Sequence, residues 1–331
     1  MKKFAITGVA GYIAPRHLAA IKDTGNELIA ALDPHDSVGI LDNYFPNAMY
    51  FKEFERFDRH LERLRRMKNN SGIDYLTICA PNYLHDAHMR LALRLGADAI
   101  CEKPAVLNPW NIDALQELEI ETGRKIYNVL QLREHSSAIE LKRKVENERK
   151  NGKHDIILTY ITTRGEWYNH SWKGEIEKSG GVATNIGVHF FDLLGWIFGK
   201  VQTHHIYLYE PRRVSGLLEL EKANVRWFLS LEKEDLPLAA VNRGMRTFRS
   251  LTIDGTEFNF SNGFTNLHTK VYNSILRGRG YGLEETKQSI NIVYKIRNAH
   301  VQKELEYAHP SMIKHSKKST QIVQDRARLY E

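Results

Sequence analysis

The feature that most constrains the fold is the order of elements at the start of the chain: an apolar strand, a turn of small residues, a helix and a second strand. Residues Phe4–Thr7 are short and apolar, and GVAGYIA follows at residues 8–14. Apolar residues at helical spacing predict a helix at Pro15–Thr24, and Glu27–Leu32 is expected to be the second strand. This order is typical of a parallel α/β sheet whose first turn approaches a phosphate group.

The turn matches the dinucleotide-binding pattern G-x-G-x-x-G only in part, because Ala10 replaces the second glycine and Ile13 the third. Asp33 follows Gly11 by 22 residues, at the end of the second strand, where a carboxylate can bind a ribose diol. Since a carboxylate repels a ribose 2′-phosphate, we expect NAD rather than NADP. The alternative is that Asp33 only caps the turn before Pro34. The residues expected here to contact the cofactor are Gly8, Ala10, Gly11, Tyr12, Ile13 and Asp33.

Strand and helix signals continue to alternate after the second strand, which predicts an N-terminal Rossmann domain, a doubly wound parallel sheet, at residues 1–125. Further helices are expected at Phe51–Asn70, Leu84–Leu95 and Trp110–Thr122, and further strands at Asp74–Ala80, Ala99–Cys101 and Lys125–Leu130.

The pattern changes after a basic helix expected at Ser136–Lys150, and residues 126–331 are expected to form a C-terminal α+β domain with a mostly antiparallel sheet. A helix is expected at Ala183–Phe198, and a last helix, Leu283–Asn298, could pack on either domain. Runs of β-branched and aromatic residues predict strands at Asp155–Thr163, Thr203–Tyr209, Gly216–Glu219, Asn224–Ser230, Arg249–Asp254 and Glu257–Phe260, the last two flanking a hairpin turn at Gly255-Thr256.

The composition fits a globular enzyme of two domains and excludes several other classes. The chain has 331 residues, of which 42% are apolar and 26% charged, so a disordered chain is excluded. The longest apolar stretch, Val188–Phe198, contains His189 and Asp192 and is shorter than the roughly 18 residues that span a bilayer. We expect a cytoplasmic protein without a membrane partner.

Cysteine usage and charge argue against a metal or a nucleic-acid partner. The two cysteines, Cys79 and Cys101, lie in short apolar runs and lack the spacing of a zinc site, so no metal is expected. The net charge of +7 is dispersed, with the densest basic groups at Lys142–Lys144 and Lys314–Lys318. No nucleic-acid-binding motif accompanies this charge.

Two later segments carry residues suited to acid–base chemistry. Lys103 ends the fifth strand before a proline, which holds it extended at the sheet edge where ligands bind. Asn185 and His189 follow a Gly-Gly turn and share a helix face, with Asp192 three residues further on. A lysine in a loop or a histidine on a helix is often only structural, but the two segments together favour an active site.

Together these segments resemble the glucose–fructose oxidoreductase, inositol dehydrogenase and rhizopine-catabolism (Gfo/Idh/MocA) family over nearly the whole chain. Residues 81–85, PNYLH, resemble the family's P-N-x-x-H turn, residues 102–104 its E-K-P signature, and residues 181–192 its substrate-side helix. The resemblance implies a nicotinamide cofactor at the edge that carries Lys103. It also implies an open-faced second sheet whose outer face forms subunit contacts, and hence a homotetramer or homodimer.

The resemblance extends the cofactor set and assigns the catalytic pair. Pro81, Asn82, His85, Glu102, Lys103, Gln131 and Trp172 are the further residues expected to contact NAD. The family commonly has aspartate where this chain has Asn185, so the proton chemistry is left to Lys103 and His189. Because histidine titrates near neutral pH, we favour His189 as the base and Lys103 as its electrostatic partner or a proton relay. The opposite assignment stays open.

Segments such as YNVLQLREH and ITTRGEWYNHSWKGE look like those of family members that oxidise the C3 hydroxyl of UDP-N-acetylglucosaminuronate to a ketone. Those enzymes serve the synthesis of diacetamido-uronic acid sugars of bacterial surface polysaccharides, including the O-antigen of lipopolysaccharide. The resemblance also implies that 2-oxoglutarate is a candidate co-substrate that reoxidises NADH in place.

A substrate with a carboxylate and a diphosphate needs cationic and hydrogen-bonding partners. The residues expected to bind it are Arg16, His17, Lys103, Arg164, Tyr168, Asn169, Lys173, Asn185 and His189. Trp167 and Trp172 could stack on the sugar or the cofactor, or pack as ordinary apolar residues. Two other functions remain open: dehydrogenation of a free polyol or sugar such as inositol, and dinucleotide binding by a non-catalytic regulator.

Overall fold

The computed structural model describes residues 1–67, 71–149, 151–258, 265–304 and 307–312. The basic group Lys314–Lys318 lies outside these described residues, as do the last residues of three expected elements, Phe51–Asn70, Ser136–Lys150 and Glu257–Phe260. The chain divides into two units. The first takes its described residues from Met1–Glu140, Glu177–Ser179 and Phe260–Asn291, and the second from Leu141–Ile176, Gly180–Asn259 and Ile292–Glu331.

Twelve strands of the described residues form two six-stranded sheets. The sheet of the first unit contains β1 (Lys3–Thr7), β2 (Glu27–Leu32), β3 (Met49–Phe51), β4 (Tyr75–Ile78), β5 (Asp98–Cys101) and β6 (Ile126–Asn128). The sheet of the second unit contains β7 (His154–Thr162), β8 (Val201–Tyr209), β9 (Arg213–Leu220), β10 (Ala223–Ser230), β11 (Thr247–Ile253) and β12 (Thr256–Glu257).

The described residues also form eleven α-helices. They are α1 (Ala14–Asp23), α2 (Ile40–Tyr44), α3 (Phe54–Arg66), α4 (His85–Arg94), α5 (Trp110–Thr122), α6 (Ser136–Asn147), α7 (Ile176–Ser179), α8 (Val188–Phe198), α9 (Leu238–Asn242), α10 (Leu267–Leu276) and α11 (Leu283–Arg297). Short 3₁₀ turns occur at Asn82–Leu84, Gln131–Glu134, Glu166–Tyr168 and Lys233–Asp235, and a π-helical turn at Ala183–Gly187 leads into α8.

The first sheet confirms the expected doubly wound parallel arrangement. Its strand order is β3-β2-β1-β4-β5-β6, and all pairs are parallel. The order reverses between β1 and β4, so the turns after these two strands diverge and leave a crevice at their carboxyl ends. This is where ligands bind in open α/β sheets.

Two apolar layers cover the two faces of the first sheet. One layer includes Phe57 and Leu61 of α3, with Met89 of α4 and Ile112 of α5. The other includes residues of α1, α2 and α10, whose largest buried member is Tyr272. Burying apolar side chains on both faces explains why the strands read as continuous apolar runs rather than as alternating patterns.

The second sheet has the order β12-β11-β7-β10-β9-β8, in which only β7 and β10 pair in parallel. The mostly antiparallel sheet expected from the sequence is therefore confirmed. Helix α8 packs on this sheet, where Phe191 contacts the fully buried Trp227 at a ring separation of 5.2 Å. Residues Ile176–Phe198 are long and apolar enough to span a membrane, but 72% of their most apolar window is buried inside the fold, as in a core helix.

Several elements differ from the expectations. The helix expected from residue 51 begins only at Phe54, because Met49–Phe51 pairs with β2 as an edge strand. Helix α10 had no counterpart in the sequence pattern. The hairpin is present, but Asp254 and Gly255, both with positive φ, form its turn, so the turn lies one residue earlier than expected.

The division into units also differs from a single boundary after residue 125. Strand β6 pairs with β5 in the first sheet. Helix α10 returns to the first unit, where it packs on α1. A chain segment far along the sequence therefore completes the first core, which no local pattern near residue 125 could indicate.

Candidate active site

The turn after β1 brings Gly8 against the chain that follows β4. Gly8 has a φ of +78°, and a β-carbon there would stand 2.5 Å from the carbonyl carbon of Cys79 and 2.6 Å from the amide nitrogen of Ala80. Both the left-handed backbone and the lack of room require glycine. The amide of Gly8 donates to the carbonyl of Leu32 at 2.8 Å, so the turn is also fixed to the end of β2.

The same turn leads directly into the N-terminus of α1. The amide of Gly11 donates to the carbonyl of Gly8 at 3.0 Å, and Tyr12 and Ile13 precede the first residue of this ten-residue helix. The amides of a first helical turn have no partner within the helix and suit an anion such as a pyrophosphate. The side chain of Tyr12 is exposed, and so is that of Arg16 one turn later.

Asp33 holds the turn and the end of β2 together. One carboxylate oxygen accepts the amide of Ala10 at 2.9 Å, and the other accepts the amide of His35 at 2.9 Å. The side chain therefore does cap the turn, as the alternative interpretation expected. A carboxylate has further lone pairs, so this cap leaves it able to accept hydrogen bonds from a ribose diol as well.

The loop after β4 is fixed by two buried polar residues. The amide group of Asn82 donates to the carbonyl of Ser179 at 2.9 Å, and Pro81 immediately precedes the 3₁₀ turn that begins at Asn82. His85 contacts the carbonyl of Ala80 through Nε2 at 2.8 Å and that of Pro104 through Nδ1 at 2.7 Å. Burial lowers the pKa of His85, although both carbonyls oppose this effect. His85 therefore ties the loop after β4 to the loop after β5.

Lys103 follows β5 at this edge of the sheet. Its backbone amide donates to Oε2 of Glu102 at 3.2 Å, and the side-chain amide of Asn128 donates to the carbonyls of Cys101 and Glu102 at 2.9 and 3.2 Å. The backbone before Lys103 is thus held by Asn128 of β6, and the amide of Lys103 by the neighbouring Glu102. Asn128 was not identified from the sequence, because the end of a strand is polar in many unrelated proteins.

His17 has a different environment from the one expected for a substrate ligand. It is fully buried, with Nε2 at 2.9 Å from Oε1 of Glu102 and Nδ1 at 2.9 Å from the hydroxyl of Tyr272. Both ring nitrogens have protein partners, so the structure corrects the expected substrate contact of His17. The position of His17 on α1, just after the glycine turn, predicted a nearby ligand, but its ring points into the core.

Oxygen and nitrogen atoms of His17, Glu102 and His268 lie within 4.8 Å of one another, as metal ligands do. Nε2 of His17 and Nε2 of His268 both lie within hydrogen-bond distance of Oε1 of Glu102, at 2.9 and 3.2 Å. Two ring N–H groups that donate to one carboxylate oxygen satisfy that oxygen without a cation.

Gln131 carries a buried hydrogen-bond acceptor, its side-chain oxygen Oε1. Its Oε1 atom has no hydrogen-bond partner among the residues that the structure describes. Leaving a buried acceptor without a donor costs about 1–3 kcal/mol. An amide donor from a bound molecule would remove this cost.

In the second unit, the two residues expected in the active site, Asn185 and His189, lie in the π-helical turn and in α8. Gly180 and Gly181 both have positive φ, and the hydroxyl of Thr184 donates back to the carbonyl of Gly180 at 2.7 Å. In the π-helical turn and α8, Asn185 and His189 are half-exposed while the residues between them are buried. π-Helical turns often occur at functional sites.

Asn185 pairs with a buried tyrosine. Its amide nitrogen donates to the hydroxyl of Tyr168 at 3.0 Å, and burial raises the pKa of Tyr168, which is 2% exposed. Tyr168 lies in the 3₁₀ turn Glu166–Tyr168 of the loop that follows β7. The expected neighbours Tyr168 and Asn185 are therefore brought together.

An arginine that sequence reasoning missed organises this loop. Arg212 donates to the carbonyl of Arg164 and to Oδ1 of Asn169, while its Nε pairs with Glu232 at 2.7 Å. The other end of the Asn169 amide donates to Glu166 at 3.1 Å. Both ends of the Asn169 amide thus have protein partners, Arg212 and Glu166. No signal near Arg212, which joins β8 to β9, distinguished it from a surface residue.

Lys173 lies between two tryptophans of the same loop. Its ammonium is 5.5 Å from the ring centre of Trp167 and 5.6 Å from that of Trp172. Burial, and then the charge of Arg164, lower the pKa of Lys173. A half-buried ammonium held against aromatic rings can still donate hydrogen bonds to an anion. The stacking of Trp172 on a cofactor stays a prediction.

Two features of the first unit suit the binding of a dinucleotide. A β-carbon would fill the close approach at Gly8, and the buried acceptor of Gln131 matches the amide donor that a nicotinamide carboxamide carries. With a helix N-terminus behind the glycine turn, these features define the class of dinucleotide-binding Rossmann proteins.

Comparison with known families identifies the class more closely. The family model described as the oxidoreductase family with an NAD-binding Rossmann fold matches residues 2–129, and that of its C-terminal alpha/beta domain matches residues 155–257. The chain belongs to this Gfo/Idh/MocA oxidoreductase family.

Solved structures include one relative with high identity over nearly the full length. The WlbA (WbpB) dehydrogenase of Thermus thermophilus, crystallised with NAD and alpha-ketoglutarate, is 49% identical, with a TM-score of 0.89 over 94% of this chain and 99% of that one. The same relative, crystallised with NAD and UDP-GlcNAcA, gives 48% identity at the same TM-score and coverage.

Curated relatives match over shorter segments. The D-glucoside 3-dehydrogenase of Escherichia coli (strain K12) is 27% identical over 137 residues, which are 38% of this chain and 36% of that protein. A putative UDP-kanosamine synthase oxidoreductase subunit of Amycolatopsis mediterranei is 30% identical over 129 residues, 38% of this chain and 35% of that protein. The matches thus span about a third of the length of these relatives.

Proposed function

We propose that this protein is an NAD-dependent dehydrogenase that oxidises the C3 hydroxyl of UDP-N-acetylglucosaminuronate to a ketone. The observation that carries the proposal is the 49% identity, over 94% of this chain, with a dehydrogenase crystallised both with NAD and alpha-ketoglutarate and with NAD and UDP-GlcNAcA. Lys103 and the pair Asn185 and His189 lie in segments typical of the family's active site. We further propose that 2-oxoglutarate is the co-substrate that takes the hydride back.

Oxidation of a secondary alcohol removes a hydride from carbon and a proton from oxygen. When bound, NAD supplies the acceptor for the hydride. His189 takes the hydroxyl proton as the favoured base, and Lys103 stabilises the developing negative charge on the oxygen. The roles of these two residues could be exchanged, since a lysine amine can also act as the base.

Binding of the cofactor uses the residues of the first unit. The pyrophosphate lies against the turn at Gly11 and binds the amides of Tyr12 and Ile13, while Asp33 binds the ribose diol and excludes a 2′-phosphate. The expected contacts of Gly8, Ala10, Pro81, Asn82, His85 and Gln131 belong to the same proposal. Gln131 Oε1 accepts from the carboxamide, which gives this buried acceptor its donor.

The cations and polar groups of the second unit bind the sugar nucleotide. Lys173, whose pKa burial lowers, and Arg164 provide positive charge for its carboxylate and diphosphate. The hydrogen bond between Tyr168 and Asn185 keeps both side chains in place beside the helix that carries His189. Arg16 of the first unit is exposed near the glycine turn, so it suits a phosphate contact.

The cellular setting is proposed on the same basis. We propose a cytoplasmic homotetramer or homodimer that serves the synthesis of diacetamido-uronic acid sugars of a bacterial surface polysaccharide. Light scattering tests the assembly, and a monomer would contradict it. No nucleic-acid or membrane partner is proposed.

The experiment that tests the function is product analysis of the purified protein. It is incubated with NAD and UDP-N-acetylglucosaminuronate, with and without 2-oxoglutarate, and the products are identified by mass spectrometry and NMR. We expect a 3-keto nucleotide sugar and, with 2-oxoglutarate present, an equal amount of 2-hydroxyglutarate. Turnover of inositol instead would favour the polyol alternative, and NAD binding without any turnover would favour the regulator.

A further inference from the structure

A chain of five buried polar side chains runs through the core of the first unit and ends beside Lys103. The distances are 2.9 Å from Thr77 Oγ1 to the Tyr272 hydroxyl, 2.9 Å from that hydroxyl to His17 Nδ1, 2.9 Å from His17 Nε2 to Glu102 Oε1, and 3.2 Å from His268 Nε2 to the same oxygen. Each of the five residues is at most 5% exposed. We call this group the Glu102 network.

One arrangement of protons satisfies the whole network. Burial raises the pKa of Tyr272 well above its usual value, so its hydroxyl keeps a proton and donates it to His17 Nδ1, while Thr77 donates to the tyrosine oxygen. Burial also lowers the pKa of His17, although its hydrogen bond to Glu102 opposes this. A neutral His17 protonated on Nε2 then donates to Glu102.

The carboxylate at the end of the network stays ionised inside the core. Burial by itself raises the pKa of Glu102, but the hydrogen bonds from His17 and His268 outweigh it and hold that pKa well below its usual range. A buried charge is tolerated only when such donors compensate it. Because a buried anion contributes little net stability even when it is paired, stability alone does not account for the network.

That anion is joined to the backbone of Lys103. Oε2 of Glu102 accepts the amide of Lys103 at 3.2 Å, and Asn128 binds the carbonyl of Glu102 at 3.2 Å. On the other side of the lysine, the carbonyl of Pro104 contacts His85 at 2.7 Å. The loop that carries Lys103 is thus fixed on both sides, and Glu102 links it to α10.

We propose that the Glu102 network positions Lys103 for the reaction, with Glu102 as a positioning residue rather than a ligand of the cofactor. The inference rests on the proposed function and adds residues that no motif assigned, His268 and Tyr272 of α10 among them. Helix α10 is connected to the active-site loop through this network, so a distant segment of the chain sets the geometry of the lysine. Errors of about 1 Å in such a group can cost about 100-fold in rate.

The test compares Glu102→Gln with variants further along the network. This substitution keeps the shape of the side chain but replaces a hydrogen-bond acceptor with a donor facing the Lys103 amide. We expect kcat to fall about 10–100-fold in Glu102→Gln while KM for the nucleotide sugar and Kd for NAD stay within about threefold. Tyr272→Phe should lower kcat less, and Thr77→Val least. Glu117→Gln, an exposed glutamate of α5, is the matched control and should leave kcat unchanged.

A second measurement does not depend on turnover. Nitrogen-15 NMR of the histidine rings, assigned with His17→Asn and His268→Asn, should find His17 neutral and protonated on Nε2 between about pH 6 and 8 in the wild type. This signature should change in Glu102→Gln and persist in Glu117→Gln. If the wild type fails to oxidise UDP-N-acetylglucosaminuronate, the proposed function is wrong, but the NMR result still decides on the network.

Three outcomes would overturn the inference. Wild-type kcat in Glu102→Gln would exclude a positioning role. A loss of NAD affinity as large as the loss of kcat would make Glu102 a direct ligand of the cofactor. One equivalent of a transition metal in the purified wild type, absent from Glu102→Gln, would make His17, Glu102 and His268 a metal site instead.

Discussion

Gly8 lies against the backbone of Cys79 so closely that a β-carbon at position 8 would stand 2.5 Å from both the carbonyl carbon and the carbonyl oxygen of Cys79. The contact joins the turns that follow β1 and β4, the two strands at which the order of the sheet reverses. The crevice for the cofactor therefore depends on the one residue type without a side chain, since neither backbone can move away without leaving its sheet.

We predict that Gly8→Ala destabilises the protein more than its positive φ alone explains. A left-handed φ costs an alanine about 1–2 kcal/mol, and overpacking against backbone adds about 1–3 kcal/mol. Gly25→Ala is the matched control, because Gly25 has a φ of +72° and a β-carbon there would have no neighbour within 4 Å among the described residues. Denaturant unfolding should give a loss at least about 1 kcal/mol larger for Gly8→Ala, as expected from overpacking. Equal losses would mean that the two turns are not in contact.

Gln131→Met should separate cofactor binding from stability. Methionine has nearly the same shape but no acceptor, so it removes a buried oxygen that lacks a partner among the described residues. We predict an NAD affinity about 3–10-fold lower, the equivalent of one neutral hydrogen bond, with an unchanged or higher free energy of unfolding without NAD. Calorimetry and denaturant unfolding measure the two quantities. Gln116→Met, on α5, loses its hydrogen bond to Glu284 but should leave the NAD affinity unchanged. An unchanged affinity in Gln131→Met would remove Gln131 from the site.

The elements and residues that the sequence revealed are those whose signals are local. The glycine turn, Asp33 and the second strand follow one another within 33 residues. The hairpin was predicted from Gly255-Thr256, and its turn, at Asp254 and Gly255, lies only one residue earlier. In each case the residues that determine the structure are neighbours in the chain, so a pattern of types and spacings is sufficient.

The features that the sequence did not reveal depend on distant partners. His17 follows the glycine turn and was expected to face the ligand, but Tyr272 and Glu102, 255 and 85 residues away, bind both of its nitrogens in the core. Arg212 likewise organises a loop 48 residues earlier in the chain. No spacing rule connects such residues, because the tertiary fold alone brings them together.

Stability below neutral pH should depend on His309. This residue is 2% exposed, binds Thr159 at 3.0 Å and stacks on Phe228. Burial, and then the charge of Arg226, lower its pKa to about 3. Since the unfolded chain binds a proton near pH 6.5 and the folded chain does not, the stabilisation is complete above about pH 6.5 and is lost as the pH falls towards 3.

His309→Gln keeps a hydrogen-bonding group for Thr159 but removes this titration. Between about pH 4 and 6 we predict a free energy of unfolding that falls less steeply than in the wild type, by up to about 1.4 kcal/mol per pH unit. Denaturant unfolding at a series of pH values measures the slopes. His170→Gln, an exposed histidine, should retain the wild-type slope. Identical slopes for His309→Gln and the wild type would show that His309 titrates in the folded protein as it does in the unfolded chain.

Lys103 and His189 should both affect the rate of reaction, and His189 should not affect the binding of NAD. We predict that Lys103→Ala and His189→Asn each lower kcat about 100- to 10,000-fold with UDP-N-acetylglucosaminuronate, the usual effect of removing a positioned acid–base group. The Kd for NAD should stay within about threefold for His189→Asn, since a group that acts mainly in the transition state contributes little to ground-state binding. Lys125→Ala, a lysine before β6, serves as the control for loss of positive charge and should keep wild-type kcat. The pH dependence of kcat then separates the two roles. If His189 is the base, its removal abolishes the fall of kcat at acidic pH. If that fall survives in His189→Asn and is lost in Lys103→Ala, Lys103 is the base.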